Sequence, residues 1–358
     1  MSNTQIDSAK AEAFAESLID VLNKGALSLM ISIGHRTGLY DTMSTLPWCT
    51  SREIARHSNL NERYVREWLG AMVTGGIIDY NPESSKYSLP AEHAAFLTRE
   101  SAPDNIAVFA QYIPLLGTVE DKILDCFKNG GGVPYSEYSR FHEVMAEDSG
   151  QTVVAALIEH ILPLVPGLKE DLEKGIDVLD VGCGSGRALN LMAKIYPKSR
   201  FFGYDLSEEA IAAGRSDASG DSLTNVKFEA KDLTEFDLDG QRFDLITAFD
   251  AIHDQARPDN VLAGVARVLR PDGVFLMQDI AGSSHLHKNL DHPIAPLLYT
   301  ISCLHCMTVS LAQDGAGLGA MWGEEKAHEM LNDAGFDRVE VKKLSHDFQN
   351  NFYINTKS

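Results

Sequence analysis

Basic residues are scarce in this chain: 31 lysines and arginines stand against 51 aspartates and glutamates, a formal charge of −20 at pH 7. A field that negative argues against nucleic acid and anionic membrane as partners, since both bind through basic surface that displaces counterions. Cysteine is also rare. Of five, Cys49, Cys126 and Cys183 are widely separated and only Cys303 and Cys306 sit close together, which excludes a disulfide framework and predicts reduced thiols in a reducing compartment. No apolar run approaches the roughly 20 residues that span a bilayer. Met1 to Glu16 is polar, mixed in charge and without an apolar signal core. These absences predict a soluble, cytoplasmic protein. The chain has neither internal repeats nor low-complexity tracts, and 358 residues at 44% apolar content are enough for two domains with sizeable cores.

The first 100 residues read as helical and then winged. Phe14, Leu18, Val21 and Leu22 recur at helical spacing, with Gly25 as the expected stop. Thr50-Ser51-Arg52-Glu53 is a capping box, in which hydroxyl and carboxylate each satisfy an orphan amide, and a short helix through Ile54 and Ala55 follows. Asn61 caps a second helix carrying Tyr64, Val65, Trp68, Leu69 and Met72, which Gly75-Gly76 ends. Two short strands come next, Ile77–Tyr80 and Lys86–Leu89. Helix, turn, helix and β-hairpin make a winged-helix pattern. DNA recognition would require the second helix to attract phosphates. Its charges, Glu62, Arg63, Arg66 and Glu67, cancel, and residues 1–100 hold 9 Lys+Arg against 12 Asp+Glu. A dimerisation or substrate-lid module is the expectation. Residues 101–174 form a helical connector hinged at Asn129-Gly130-Gly131-Gly132-Val133-Pro134, and Tyr135, Tyr138, Phe141 and Met145 crowd the stretch beyond it.

From residue 175 strands alternate with helices. Candidate strands are Ile176–Asp180, Arg200–Tyr204, Val226–Ala230, Phe243–Ala248, Gly273–Asp279, Arg338–Lys343 and Asp347–Asn355, with helices near 186–196, 207–217, 258–270 and 323–334. That alternation predicts an α/β fold, a mostly parallel sheet covered on both faces, with ligands beyond the carboxyl ends of its strands.

The sharpest motif is Val178-Leu179-Asp180-Val181-Gly182-Cys183-Gly184-Ser185-Gly186-Arg187: an apolar strand ends in a carboxylate, and glycines on alternate positions turn the chain into a helix. A dinucleotide site needs G-x-G-x-x-G, and Arg187 stands where the last glycine would be. Asp180, as a fixed negative charge at the loop mouth, repels a pyrophosphate and suits a cationic, amine-bearing ligand. Asp205 ends the next strand, where a carboxylate accepts both hydroxyls of a ribose, and Asp232 follows the third, within reach of an adenine amino group. Three acids at successive strand ends make a cradle for a positively charged nucleoside without phosphates.

This constellation resembles the class I S-adenosylmethionine-dependent methyltransferases over roughly residues 170–358. Asp180, Gly182, Gly184 and Gly186 match the family's glycine motif, Asp205 its ribose-binding acid and Asp232 its adenine-edge acid. The resemblance implies a Rossmann-like seven-stranded sheet whose last strand is antiparallel, which suits 338–343 and 347–355 as a hairpin, and S-adenosylmethionine as cofactor. Leu206, Leu233 and Phe249 join the candidate cofactor contacts. More loosely, the chain resembles small-molecule O-methyltransferases with an N-terminal winged-helix dimerisation domain, through that N-terminal order, the aromatic stretch from Tyr135 to Met145 and Phe249-Asp250-Ala251-Ile252-His253-Asp254. The stretches Leu297–Tyr299, Leu304–Cys306 and Met321–Gly323 look like a group of mostly uncharacterised bacterial methyltransferases. The organisation expected is a winged-helix dimerisation or lid domain over 1–100, a connector over 101–174, and a methyltransferase domain over 175–358 with an acceptor-pocket insertion at 280–322.

In that family the protein aligns the acceptor, excludes water and, where needed, removes a proton. The resemblance implies His253 with Asp254 as the catalytic pair, the neutral imidazole accepting a proton from the acceptor; Gln255-Ala256-Arg257-Pro258 departs from the family by lacking the Trp that usually follows. Tyr135, Tyr138, Phe141, Met145, Tyr299 and His305 are the candidate acceptor-binding residues. Cys303-Leu304-His305-Cys306 supplies at most half of a tetrahedral metal site, so no metal is expected. The function expected is methyl transfer to a small, partly apolar acceptor, at oxygen first and nitrogen or sulfur next. The partners expected are that small molecule and a second copy through the N-terminal helices, with no nucleic acid and no membrane. A cofactor-sensing winged-helix regulator and a nicotinamide oxidoreductase are the alternatives.

Overall fold

The computed structural model describes residues 6–357 apart from 237, 239, 346 and 348, so Phe348 of the expected last strand and residues 1–5 of the N-terminal segment lie outside the described residues. The chain divides between Pro114 and Leu115.

In the N-terminal unit a 29-residue helix, Ser8–Arg36, runs straight through Gly25, which keeps helical geometry; the chain turns instead at Gly38, whose φ of 69° is left-handed. By length and composition this helix is long and apolar enough to cross a membrane, contrary to the expectation from uninterrupted apolar runs, because scattered charges such as Asp20 and Lys24 break the run without lowering the average far. Most of the helix is exposed. Ser51–Ser58 opens with the expected capping box, Thr50 N donating to Glu53 Oε2 at 2.8 Å, and Asn61 caps Glu62–Thr74. The latter buries Val65, Trp68, Leu69 and Met72 with Tyr40 and Ile54. Strands β1 (Asp79–Asn81) and β2 (Lys86–Ser88) pair antiparallel as the wing.

The second unit holds seven strands: β3 (Asp177–Val181), β4 (Arg200–Asp205), β5 (Val226–Ala230), β6 (Phe243–Phe249), β7 (Leu269–Ile280), β8 (Arg338–Lys342) and β9 (Asn350–Thr356). Their order is β5-β4-β3-β6-β7-β9-β8; the first five are mutually parallel, and β9 lies antiparallel between β7 and β8. All five residues of β3 are buried, as for a central parallel strand covered on both faces. Successive residues face opposite ways. Leu179, Ile246, Phe275 and Met277 pack with Val261, Leu262 and Val265 of helix Pro258–Val268 and Leu331 of helix Gly323–Asp333. Val178, Leu245, Leu276 and Phe352 pack with Leu189 and Met192 of helix Arg187–Ile195 and Leu157 of the 115–174 segment. The chain leaves β3 for β4 and β5, then returns to β6 on its other side, so a crevice opens at the carboxyl ends of β3 and β6.

Candidate active site

The glycine turn has three left-handed positions, two of them with no room for a side chain. Gly182, Gly184 and Gly186 have φ of 72°, 52° and 66°. A Cβ on Gly182 would stand 2.5 Å from Ala251 Cβ, and one on Gly186 2.1 Å from the Phe228 ring. At Gly184 nothing lies within 4 Å, leaving its backbone open to the crevice. The turn is tied to β4: Gly182 N and Cys183 N donate to Tyr204 O at 2.9 and 3.1 Å. Asp205 accepts from Gly184 N and Ser207 N, both at 2.8 Å, which fixes its carboxylate beside the turn.

A cavity of about 330 Å³ sits here, a size suited to a small ligand. Its lining includes Gly182, Gly184, Asp205, Leu206, Asp232, Leu233 and Phe249, seven of the nine expected cofactor contacts. Tyr135, Phe141, Met145 and Asp254 line it as well. Four aspartates, Asp205, Asp232, Asp250 and Asp254, border the cavity with Lys231 and His142, so its lining is net acidic. That lining matches a cation better than a phosphate.

Two expected cofactor residues stand behind the lining. Gly186 packs on Phe228. Asp180 is 3% exposed and accepts a 2.7 Å hydrogen bond from Thr247 Oγ1. Burial pushes its carboxyl up to about 7, with the nearby Asp205 charge adding to the rise against the Thr247 hydrogen bond. The expectation of a permanent negative charge at the loop mouth is therefore corrected: Asp180 changes protonation near neutral pH because it is sealed from water.

Three expected acceptor residues also fall outside the lining. Tyr138 donates to Leu304 O at 2.5 Å. His305 stacks on Phe141 with centroids 3.6 Å apart, and burial holds its imidazole down at about 4, hence neutral. Tyr299 lies in a separate apolar cluster with Ile280, Leu298 and Met321, its hydroxyl accepting from Asn289 Nδ2 at 3.0 Å.

His253 is 3% exposed and sits behind Asp254. Its Nδ1 lies 2.7 Å from Asp279 Oδ1 and its Nε2 3.2 Å from Asp254 Oδ1. Asp279 in turn accepts from Trp322 Nε1 at 2.9 Å and from Ile280 N at 2.8 Å, and Tyr135 Oη donates to Asp254 Oδ2 at 3.1 Å. Burial alone would push the imidazole down; the two flanking carboxylates outweigh it and hold the pKa well above the ordinary histidine value. The two carboxylates thus favour the charged ring over the neutral one.

Several residues of this site escaped the sequence reading. Asp279 is the penultimate residue of β7, as Asp180 is of β3, so the strand-end rule that picked out Asp180, Asp205 and Asp232 applied to it equally. Asp250 follows β6 with φ of 50°, a strained conformation for a residue with a side chain; Gln278 Nε2 donates to it at 2.9 Å and burial drives its carboxyl well upward. His142, stacked on Tyr135 and 3.3 Å from Ser207 Oγ, and Gln313 carried no local signal.

Comparison with known proteins adds two domain matches: a Rv2258c-like winged HTH domain over residues 25–99 and a methyltransferase domain over 172–340. The ubiquinone biosynthesis O-methyltransferase of Coxiella burnetii is 31% identical over 107 residues, 30% of this chain and 44% of that protein. The fatty-acid O-methyltransferase of Mycolicibacterium smegmatis is 35% identical over 106 residues, 30% of this chain and 38% of that one. The chain thus matches less than half the length of these curated relatives. Among solved structures, human N-acetylserotonin methyltransferase in complex with SAM superposes with a TM-score of 0.68 at 15% identity, covering all of both chains. The mitomycin 7-O-methyltransferase does so with a TM-score of 0.68 at 16% identity, covering 98% of this chain and 100% of that one.

Proposed function

We propose that this chain, a winged helix-turn-helix domain joined to an S-adenosylmethionine-dependent methyltransferase domain of class I, transfers the donor's methyl group to a small, partly apolar acceptor, at oxygen in preference to nitrogen or sulfur. The observation that carries the reading is one cavity lined both by the glycine turn with its acids and by aromatic residues with Asp254. In this reading Gly182 and Gly184 approach the donor by backbone, Asp205 accepts from its ribose and Asp232 from its adenine edge, with Leu206, Leu233 and Phe249 as apolar walls. Asp180 and Gly186 act from behind, Asp180 tuning the charge of the turn and Gly186 letting it close. Bound there, S-adenosylmethionine supplies a methyl carbon already activated by a sulfonium.

Tyr135, Phe141 and Met145 hold and orient the acceptor and keep water out, while Tyr138 and His305 brace Phe141 from outside the cavity. His253, once deprotonated, takes the acceptor's proton by way of Asp254, the member of the pair that borders the cavity. The aromatic wall supports a partly apolar acceptor, and a base so placed is needed for a hydroxyl more than for a thiolate. Apolar side chains exposed along Ser8–Arg36, including Phe14, Val21 and Leu22, support pairing with a second copy of the chain, and the free thiols and acidic composition support a cytoplasmic setting.

Calorimetry with S-adenosylhomocysteine, NADH and duplex DNA tests the whole. S-adenosylhomocysteine is expected to bind tightly and the others not; tight binding of NADH alone, or salt-sensitive DNA affinity without turnover, overturns the reading. Labelled donor with panels of phenols, carboxylic acids, amines and thiols then identifies the acceptor atom.

A further inference from the structure

Local spacing pointed away from a metal because Cys303, His305 and Cys306 crowd one stretch and no second pair follows. The fold assembles a different set. His253 and Asp254, in the turn after β6, meet Cys306 at the end of a π-helical turn, Ser302–Cys306, set between helices Ala295–Ile301 and Met307–Leu311. One ligand atom from each of His253, Asp254 and Cys306 lies within 4.8 Å of the others. π-Turns are rare and concentrate at functional sites.

Three further features fit metal binding. Asp279 takes Nδ1 of His253 at 2.7 Å, which leaves Nε2 as the ring's ligand atom, and Trp322 holds Asp279 in place; metal-binding histidines characteristically have such a carboxylate behind them. Asp254 Oδ1 is buried and faces His253 Nε2 at 3.2 Å, so two of the ligand atoms already lie side by side. The donors are one imidazole nitrogen, one carboxylate oxygen and one thiol, a set that suits zinc and its relatives and not magnesium or calcium.

We propose that His253 Nε2, an Asp254 carboxylate oxygen and Cys306 Sγ form a binding site for a zinc-class divalent cation, buried behind the cavity wall that Asp254 borders. On binding, Cys306 gives its thiol proton to solvent and the cation replaces the proton on Nε2. The metal-bound and base-competent states of His253 therefore exclude each other, so a bound cation would take His253 out of proton transfer. Only this consequence rests on the transfer reading, since the site itself is defined by three side chains.

Cobalt(II), a spectroscopic stand-in for zinc, tests the site in the full chain after treatment with chelator. One equivalent is expected to produce a thiolate-to-cobalt charge-transfer band and the strong visible bands of tetrahedral cobalt, and one equivalent of zinc to bleach them. Cys306→Ala abolishes the charge-transfer band while Cys303→Ala keeps it. Asp279→Asn weakens binding about 10–100-fold, as expected for loss of the carboxylate behind a ligand. Should Cys306→Ala fail to fold, Asp254→Asn decides: the thiolate band stays but affinity falls at least about 10-fold. Absence of the band in the parent protein, its loss in Cys303→Ala, or full affinity in Asp254→Asn overturns the site. Neither donor nor acceptor enters the assay, so a negative result leaves the methyl-transfer reading standing.

Discussion

Asp180→Asn isolates the cost of sealing an acid under the glycine turn. The folded-state pKa of about 7 stands roughly three units above the 3.8 of an exposed aspartate, so between about pH 4 and 7 the folded protein keeps a proton that the unfolded chain has released. Stability therefore falls as pH rises through that window. At about 1.4 kcal/mol per unit, the full cost of ionising Asp180 at pH 8 is about 4 kcal/mol. Asparagine cannot ionise, and its amide oxygen still accepts from Thr247 Oγ1, which donates to Asp180 at 2.7 Å. The variant should match the parent near pH 3, below the unfolded pKa, and exceed it by up to about 4 kcal/mol at pH 8. For a domain of this size that corresponds to a rise in Tm on the order of 10 °C. Thermal melts followed by far-UV circular dichroism at half-unit pH steps measure the difference. Donor affinity moves the other way, weakening at pH 8, where the ionised parent favours a cation. A stability gap that stays constant from pH 5 to 8 would refute the buried-acid argument.

For chelator-treated enzyme, kcat/KM should fall as pH drops through a pKa above the ordinary 6.5, because the imidazolium must first lose its proton; Asp279→Asn moves that limb to lower pH, and an unmoved limb excludes His253 as base. His253→Ala lowers kcat by about 10²–10⁴-fold with donor Kd unchanged in calorimetry. Gly186→Ala, at φ of 66° and with Phe228 in the space of its Cβ, costs about 2–4 kcal/mol in urea unfolding, and an unchanged midpoint would count against the packing described. Tyr135→Phe removes the 3.1 Å hydrogen bond to Asp254 and lowers kcat by about 10-fold or more, read at saturating donor. Leu22→Lys, on the exposed face of Ser8–Arg36, yields monomers in sedimentation velocity if that face pairs two copies, and an unchanged mass removes it from the interface.

Much of the fold was written in local pattern, in the capping box at Thr50–Glu53 and the alternation of buried strands with helices, while the methyltransferase resemblance implied the terminal hairpin found at the sheet edge. The acids at strand ends marked the cavity because strand periodicity fixes where each strand stops. What local pattern could not carry was depth and long-range company. Asp180 and Asp205 read alike in sequence, yet Asp180 is sealed below the turn and Asp205 lines the cavity. The protonation of His253 is decided by Asp279, 26 positions away, and by Trp322 behind that. Tyr299 has the chemistry of a pocket wall, but the helix that carries it turns it toward Ile280 and Met321. Cys306 met His253 only through folding.

The placement of β9 between β7 and β8 has a consequence for synthesis. While a ribosome is still making residues 281–349, the outer edge of β7, with its run of Phe275, Leu276 and Met277, lacks its hydrogen-bonding neighbour. A bare apolar edge of that kind invites pairing with other nascent chains. The strand that relieves it follows only after residues 281–349, so that interval of synthesis leaves this edge open to aggregation.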